Sequence, residues 1–164
     1  MATTYELIAT TTLGSAAASY TFSSISSAYT DLVLIYQSTT APAAAYVGLQ
    51  FNSDTGTNYS VTRLSGSGTA ASSDRKTSAT KLELTAQSYI DDPITFNSII
   101  NVQNYANTTT YKTVISRQNL AAGGVDAVVG LWRSTSAIST IVLLTSSGTF
   151  DTGSTFTLYG ILAA

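Results

Sequence analysis

The sequence contains no cysteine and no histidine. Without cysteine there is no disulfide framework, no thiolate nucleophile and no thiolate metal site. Without histidine the commonest general base and the commonest metal ligand are both missing. A Ser-His-Asp or Cys-His arrangement is thereby excluded, and zinc is disfavoured by the chemistry of its ligands. Charge is scarce too: 10% of the residues carry it, against a usual ~25%. Seven Lys and Arg stand against nine Asp and Glu, a net charge of −2, and Arg75-Lys76 is the only adjacent basic pair. Nucleic acid is therefore not an expected partner, because neutralising a phosphate backbone needs a basic patch. No apolar run is long enough to span a membrane, so no membrane is expected either. The opening Met1-Ala-Thr-Thr-Tyr-Glu-Leu-Ile8 lacks a basic region ahead of a long apolar one. It reads as a chain made in a cytosol and used without Sec export.

Ser and Thr fill the gap and supply nearly a third of the 164 residues, beside 44% hydrophobic residues. Thr is β-branched, packs on a pleated surface and tolerates water without a charge, so this mixture suits strands. The length suits one domain, 1–164, large enough to bury a core without a staple. Helical periodicity is nearly absent. Short runs rich in Val, Ile, Leu, Thr and Tyr lie between Gly, Ser, Asn and Asp clusters. They predict strands near 4–13, 19–23, 30–38, 45–52, 58–65, 79–86, 94–104, 111–120, 125–133, 138–145 and 154–162. Many short strands with frequent turn signals point to an all-β antiparallel sandwich or barrel.

In 154–162 the pattern alternates, with Phe156 and Leu158 on one face and Thr155, Thr157 and Tyr159 on the other. Asp31–Tyr36 and Ile138–Leu144 are almost solidly apolar, which predicts burial on both faces by a neighbouring subunit or by the chain's own loops. Asn52-Ser-Asp-Thr-Gly56 reads as a hairpin connection with Gly56 at positive φ. Its likeness to a calcium loop is faint, since it has one carboxylate and no downstream bidentate Glu. Ser65–Asp74 reads as a flexible loop, Ala41–Ala45 as an apolar segment too short for a helix, Pro93 as a strand start and Gly123-Gly124 as a turn.

Carboxylates are the only remaining catalytic candidates. Asp91 and Asp92, as strand neighbours, would point to opposite faces and form no acid–base pair. Glu6 and Glu83 are expected to face water or to pair with Lys or Arg. No catalytic residue, cofactor or metal is assigned, and the protein is expected not to be an enzyme. The candidate contact residues are aromatic. Tyr36, Tyr46, Tyr59, Tyr89, Tyr105 and Tyr159 sit in or beside strands, and Trp132 is the sole tryptophan. Tyrosine suits interfaces and sugar-stacking surfaces, but the plainer reading is strand packing with the hydroxyl at the rim, and Trp132 reads as a core or interface anchor rather than a ligand platform.

Several segments together resemble short β-rich virion structural proteins of tailed phages. These are Tyr5-Glu-Leu-Ile-Ala9, Phe22-Ser-Ser-Ile25, Tyr29–Leu34, Phe51–Ser60 with Arg63-Leu64, Val129-Gly-Leu-Trp-Arg133, and Phe150–Ile161. The closing Phe156-Thr-Leu-Tyr-Gly-Ile161 is the most telling of them. The resemblance implies a jelly-roll-like β-sandwich in an assembled virion, made in the host bacterial cytoplasm. The implied role is a capsid decoration (cement) protein that binds coat subunits through sheet faces and edges, often as a homotrimer. A tail or fibre component is the alternative, with the major capsid or a tail protein as partner. A lectin-like module for a host glycan is a further alternative, with Tyr and Trp132 as its platform. The absence of cysteine and the single Met suit a particle that must survive outside the cell.

Overall fold

The computed structural model describes residues 4–38, 40–41, 46–85, 95–120 and 123–162. The strands are β1 (Tyr5–Thr12), β2 (Ser19–Phe22), β3 (Asp31–Ser38), β4 (Thr40–Ala41), β5 (Val47–Phe51), β6 (Tyr59–Gly66) and β7 (Ala71–Ala79). Then follow β8 (Leu82–Glu83), β9 (Phe96–Gln103), β10 (Lys112–Leu120), β11 (Gly124–Trp132), β12 (Ile141–Thr145), β13 (Thr149–Phe150) and β14 (Thr155–Ile161). Among the described residues there is no helix.

Eight strands form one sheet in the order β1-β14-β3-β9-β10-β11-β6-β7, and β2-β12-β5-β8 form a second. The pairings are antiparallel. The chain repeatedly crosses between the sheets, giving a jelly-roll-like β-sandwich. Apolar side chains from the two facing surfaces fill the space between them. Leu34, Tyr36, Phe96, Ile100, Val114, Phe156 and Leu158 come from the larger sheet, and Phe22, Leu49, Phe51, Leu82, Ile141 and Leu143 from the smaller. Phe156 stacks on Tyr20 at 4.9 Å and meets Phe150 edge-on at 5.1 Å, so aromatic rings bridge the layers.

The alternation expected in 154–162 is present: Phe156 and Leu158 are buried, whereas Thr155, Thr157 and Tyr159 lie half-buried on the other face. The two solid runs divide. Val33, which faces outward between Tyr159 and Asn101, is buried by its own chain, but Ile35 on the same face stays exposed. The second run is a strand only from Ile141, and Val142 and Leu144 are half-buried.

Three expectations are corrected. Ser65–Asp74 is not one loop: β6 runs to Gly66, a turn closes with Ser67 N–H donating to Ala70 O at 3.0 Å, and β7 begins at Ala71. Nearly all of β7 is exposed because it is the outermost strand and neither face is covered. A strand with no buried face carries no period-2 signal. The strand expected at 79–86 contracts to Leu82–Glu83, its first residue having joined β7. The link 52–58 is not a hairpin either, because β5 and β6 belong to different sheets. Its left-handed residues are Asn52 (φ 50) and Ser53 (φ 55), not Gly56. Asn side chains bond locally and tolerate that region. Gly124 does need its hydrogen: at φ 150 a Cβ would come within 2.4 Å of Gly66 O on the neighbouring strand. Residues 42–45, which make up most of the short apolar segment, lie outside the described residues, as do Asp91, Asp92 and Pro93.

Candidate functional site

Four of the seven aromatic candidates belong to the interior. Tyr36, Tyr59, Tyr105 and Trp132 are buried, so in this fold they offer no surface to a partner or a sugar. For three of them the physical reason is on view: the polar tip is provided for inside. Trp132 Nε1 donates to Asp54 Oδ2 at 2.7 Å, and Asn58 Nδ2 and Gly56 N also donate to that carboxylate. The Trp132 bond, aided by the other two and opposed by burial, holds the Asp54 carboxyl below the usual carboxylate range. Tyr59 Oη accepts from Phe51 N at 3.0 Å and donates to Asp54 O at 3.1 Å, and burial pushes its phenol up to about 12. Tyr105 donates to Ser26 O. These bonds pin the loops that join the two sheets. The oxygen-rich Asn52–Gly56 segment is engaged in the same way, which leaves its carboxylate committed to protein donors. Tyr46 and Tyr159 are half-buried at the surface, and Tyr89 lies outside the described residues.

The surface that stands out lies elsewhere, on the outer face of the larger sheet. In β11 the buried set is Asp126, Val128, Gly130 and Trp132, with Gly124 at the strand's start. The opposite set is Val125, Ala127, Val129 and Leu131. The more consistently apolar set thus faces out. In β10, Lys112, Ser116 and Gln118 are buried while Ile115 is exposed. Cross-strand register brings these outward residues together. Ile115 lies opposite Val129, Ala127 opposite Leu64, and Ile99 opposite Ile35. Leu64, Val129, Val125, Ile115, Ile99 and Ile35 are each 39–59% exposed.

Together they present roughly 500 Å², the size of the largest apolar patch of a typical monomer, which is often functional. The charged side chains within or beside this band are Arg117, opposite Ile99 and Ala127, and Arg75, opposite Thr62 on β7. Arg117 stands between two shallow hollows of about 400 and 380 Å³. Leu64, Ile99, Ile115, Val125 and Val129 are not among the residues singled out from the sequence. The alternation in Val125–Trp132 is visible there, but a reader assigns its apolar half to the core.

Inside, the matching positions form a polar row across five strands. Tyr36 pairs with Ser98, Ser98 with Gln118, Gln118 with Asp126, and Asp126 with Ser65, all buried. Gln118 Nε2 donates to Ser116 Oγ at 3.1 Å. Glu6 faces solvent, and Glu83 receives Lys76 and Arg63. Among the described residues no group of three or more Asp and Glu gathers as a metal site would require.

No protein family matches the sequence, and no curated protein is similar to it. The exo-inulinase of Aspergillus awamori resembles the fold with a TM-score of 0.51 at 12% identity, over 96% of this chain and 29% of that enzyme. The galectin LEC-6 of Caenorhabditis elegans gives 0.34 at 9% identity, over 94% and 96% of the two chains. The chain spans less than a third of the inulinase. Likenesses at such identity concern the fold alone.

Proposed function

We propose that this chain is a structural subunit of a tailed-phage particle, a decoration protein that docks on coat subunits through the outer face of its eight-stranded sheet. The observation that carries the reading is the outward set on β11, where Val125, Ala127, Val129 and Leu131 all face out while the inward set mixes Asp126, Gly124 and Gly130 with Val128 and Trp132. A one-residue shift would exchange the two sets, so holding the apolar set outward has a cost that a covering partner offsets. The area fits as well. Eight strands at ~4.8 Å spacing and about eight residues long present roughly 1,000 Å², above the ~800 Å² per partner of a standard interface.

The charges select the occupant. Arg75 and Arg117 belong to the band, and the Asp31 carboxylate on the same face stands at the far end of β3, where it accepts from Asn104 N. A second copy laid face to face would bring arginine toward arginine, whereas a coat surface with carboxylates around an apolar centre complements it. Sister copies, as the homotrimer the resemblance implies, then associate through other surfaces. The sequence resemblance to virion proteins supports the particle as the setting.

The test is co-sedimentation of the purified protein with separated heads, tails and undecorated shells. Binding to shells, lost on Leu64→Asp/Val129→Asp substitution with the melting temperature kept, is the expected result. Binding only to tails overturns the decoration role, and undiminished binding of the substituted protein overturns this face. Light scattering gives the mass of the free protein; a monomer at tens of micromolar overturns the trimer.

A further inference from the structure

A chain poor in charge places five charged side chains in one corner, where β6, β7 and β8 meet. Arg63 is buried there, with Nε at 2.9 Å from Asp74 Oδ1 and Nη2 at 2.5 Å from Asp74 Oδ2. Its Nη1 reaches Thr85 O at 3.2 Å and Glu83 Oε2 at 3.5 Å, and Lys76 pairs with the same Glu83 oxygen. The two carboxylates therefore balance Arg63 and Lys76. Lys81 is left over and makes no ion pair among the described residues. Its stem crosses Gly48 so closely that a Cβ there would lie 2.7 Å from Lys81 Cδ. Arg63, Lys76, Lys81 and Glu83, with Tyr46 and Ser146, line a cleft of about 270 Å³.

We infer that this cleft binds one anionic sugar unit, a uronate-type monosaccharide whose carboxylate pairs with Lys81. A network that only joined the two sheets would need two cations for its two carboxylates; among the described residues Lys81 is a third, and it lines the cleft without an ion pair. The rest of the lining exceeds what a simple anion needs. Glu83 is an acceptor for sugar hydroxyls, Lys76 is a donor, and Tyr46 brings the kind of apolar ring side that sugar C–H faces pack against. The volume suits one ring rather than a chain. The inference is independent of the docking face, which lies on the other side of the same sheet.

The test is a titration of ¹⁵N-labelled protein with sodium glucuronate, methyl glucoside and sodium sulfate in parallel. Saturable shifts of the Gly48, Lys81 and Ser146 amides with glucuronate are expected, with methyl glucoside weaker by roughly tenfold or more, as loss of a charge-assisted bond implies. Lys81→Ala, its spectrum otherwise superimposable, should weaken glucuronate by a similar factor. No shift with glucuronate, the same shifts with sulfate, or an unaltered titration of Lys81→Ala would each overturn the site. No particle component is present, so failure here is distinguishable from failure of the docking proposal.

Discussion

The two faces of β11 depart from the usual division of a sandwich, and its neighbour β10 adds polar groups to the interior. Inward, between the sheets, stand Lys112, Ser116, Gln118 and Asp126 beside Val114, Leu120, Val128 and Trp132. Outward, β11 presents Val125, Ala127, Val129 and Leu131, and β10 presents Ile115 beside Thr113, Arg117 and Asn119. Lys112, Ser116 and the Gln118 amide nitrogen are held by hydrogen bonds, whereas Gln118 Oε1 has no hydrogen-bond partner among the described residues. Lys112 Nζ donates to Thr110 O at 2.9 Å and Thr135 O at 3.2 Å, while burial lowers its pKa. A buried polar group without a partner is costly, so a shift of register that re-paired these groups badly would be penalised. The outer residues Ile115, Val125 and Val129 are exposed and have no such anchoring, so substitutions there are expected to leave the subunit intact. Polarity inside thus specifies alignment, and apolarity outside is available to a neighbour.

The comparison breaks first at Trp132. Trp132→Ala should lower unfolding free energy by about 3–5 kcal/mol, because it opens a cavity against Phe51 and Tyr59 and leaves Asp54 without its indole donor. Urea titration measures this, and a loss under about 1 kcal/mol would show that the inner face does not govern stability.

A smaller effect is expected at Asp54. Asp54→Asn should cost about 1–2 kcal/mol at neutral pH, since one of the two acceptor oxygens and the charge are lost. Acid sharpens the point. Asp54 and Asp74 have lowered pKa values in the fold, set mainly by Trp132 and by Arg63 respectively. Their stabilisation is complete above the unfolded carboxylate value near ~4 and disappears as pH falls through the folded values. Melting curves at descending pH should be less steeply pH-dependent for Asp54→Asn; identical slopes would refute the assignment.

The least effect belongs to the outer face. Val129→Thr should change stability by roughly 0.5 kcal/mol or less, since the site is more than half exposed. A large loss would mean that the band supports the subunit itself.

These contrasts explain what the sequence revealed. The alternation of Thr155–Ile161 was legible because one side meets the core and the other does not. In β10 and β11 the period was equally legible but its phase was not, because polar residues such as Gln118 and Asp126 occupy the interior and Val129 the exterior. Hydropathy alone assigns the two sets of β11 the wrong way round. β7 was invisible, since Ala71–Ala79 buries neither face. Trp132 was legible as a core or interface anchor, and the fold makes it a core one; its partner Asp54 was not legible, since it is 78 positions away and only the folded loops bring them together. The cleft of Lys81 and Glu83 likewise depends on two sheets meeting.

The borders of the large sheet have a consequence for crowding. Register slips interrupt β1 near Leu7 and Ala9, and β6–β7 pairing near Tyr59 and Val61. The outermost strand also displays Asp74, Arg75 and Lys76 in succession. Ribbons with such rims resist zipping side by side into endless fibrils. Many molecules can therefore be packed shoulder to shoulder, each remaining a separate unit.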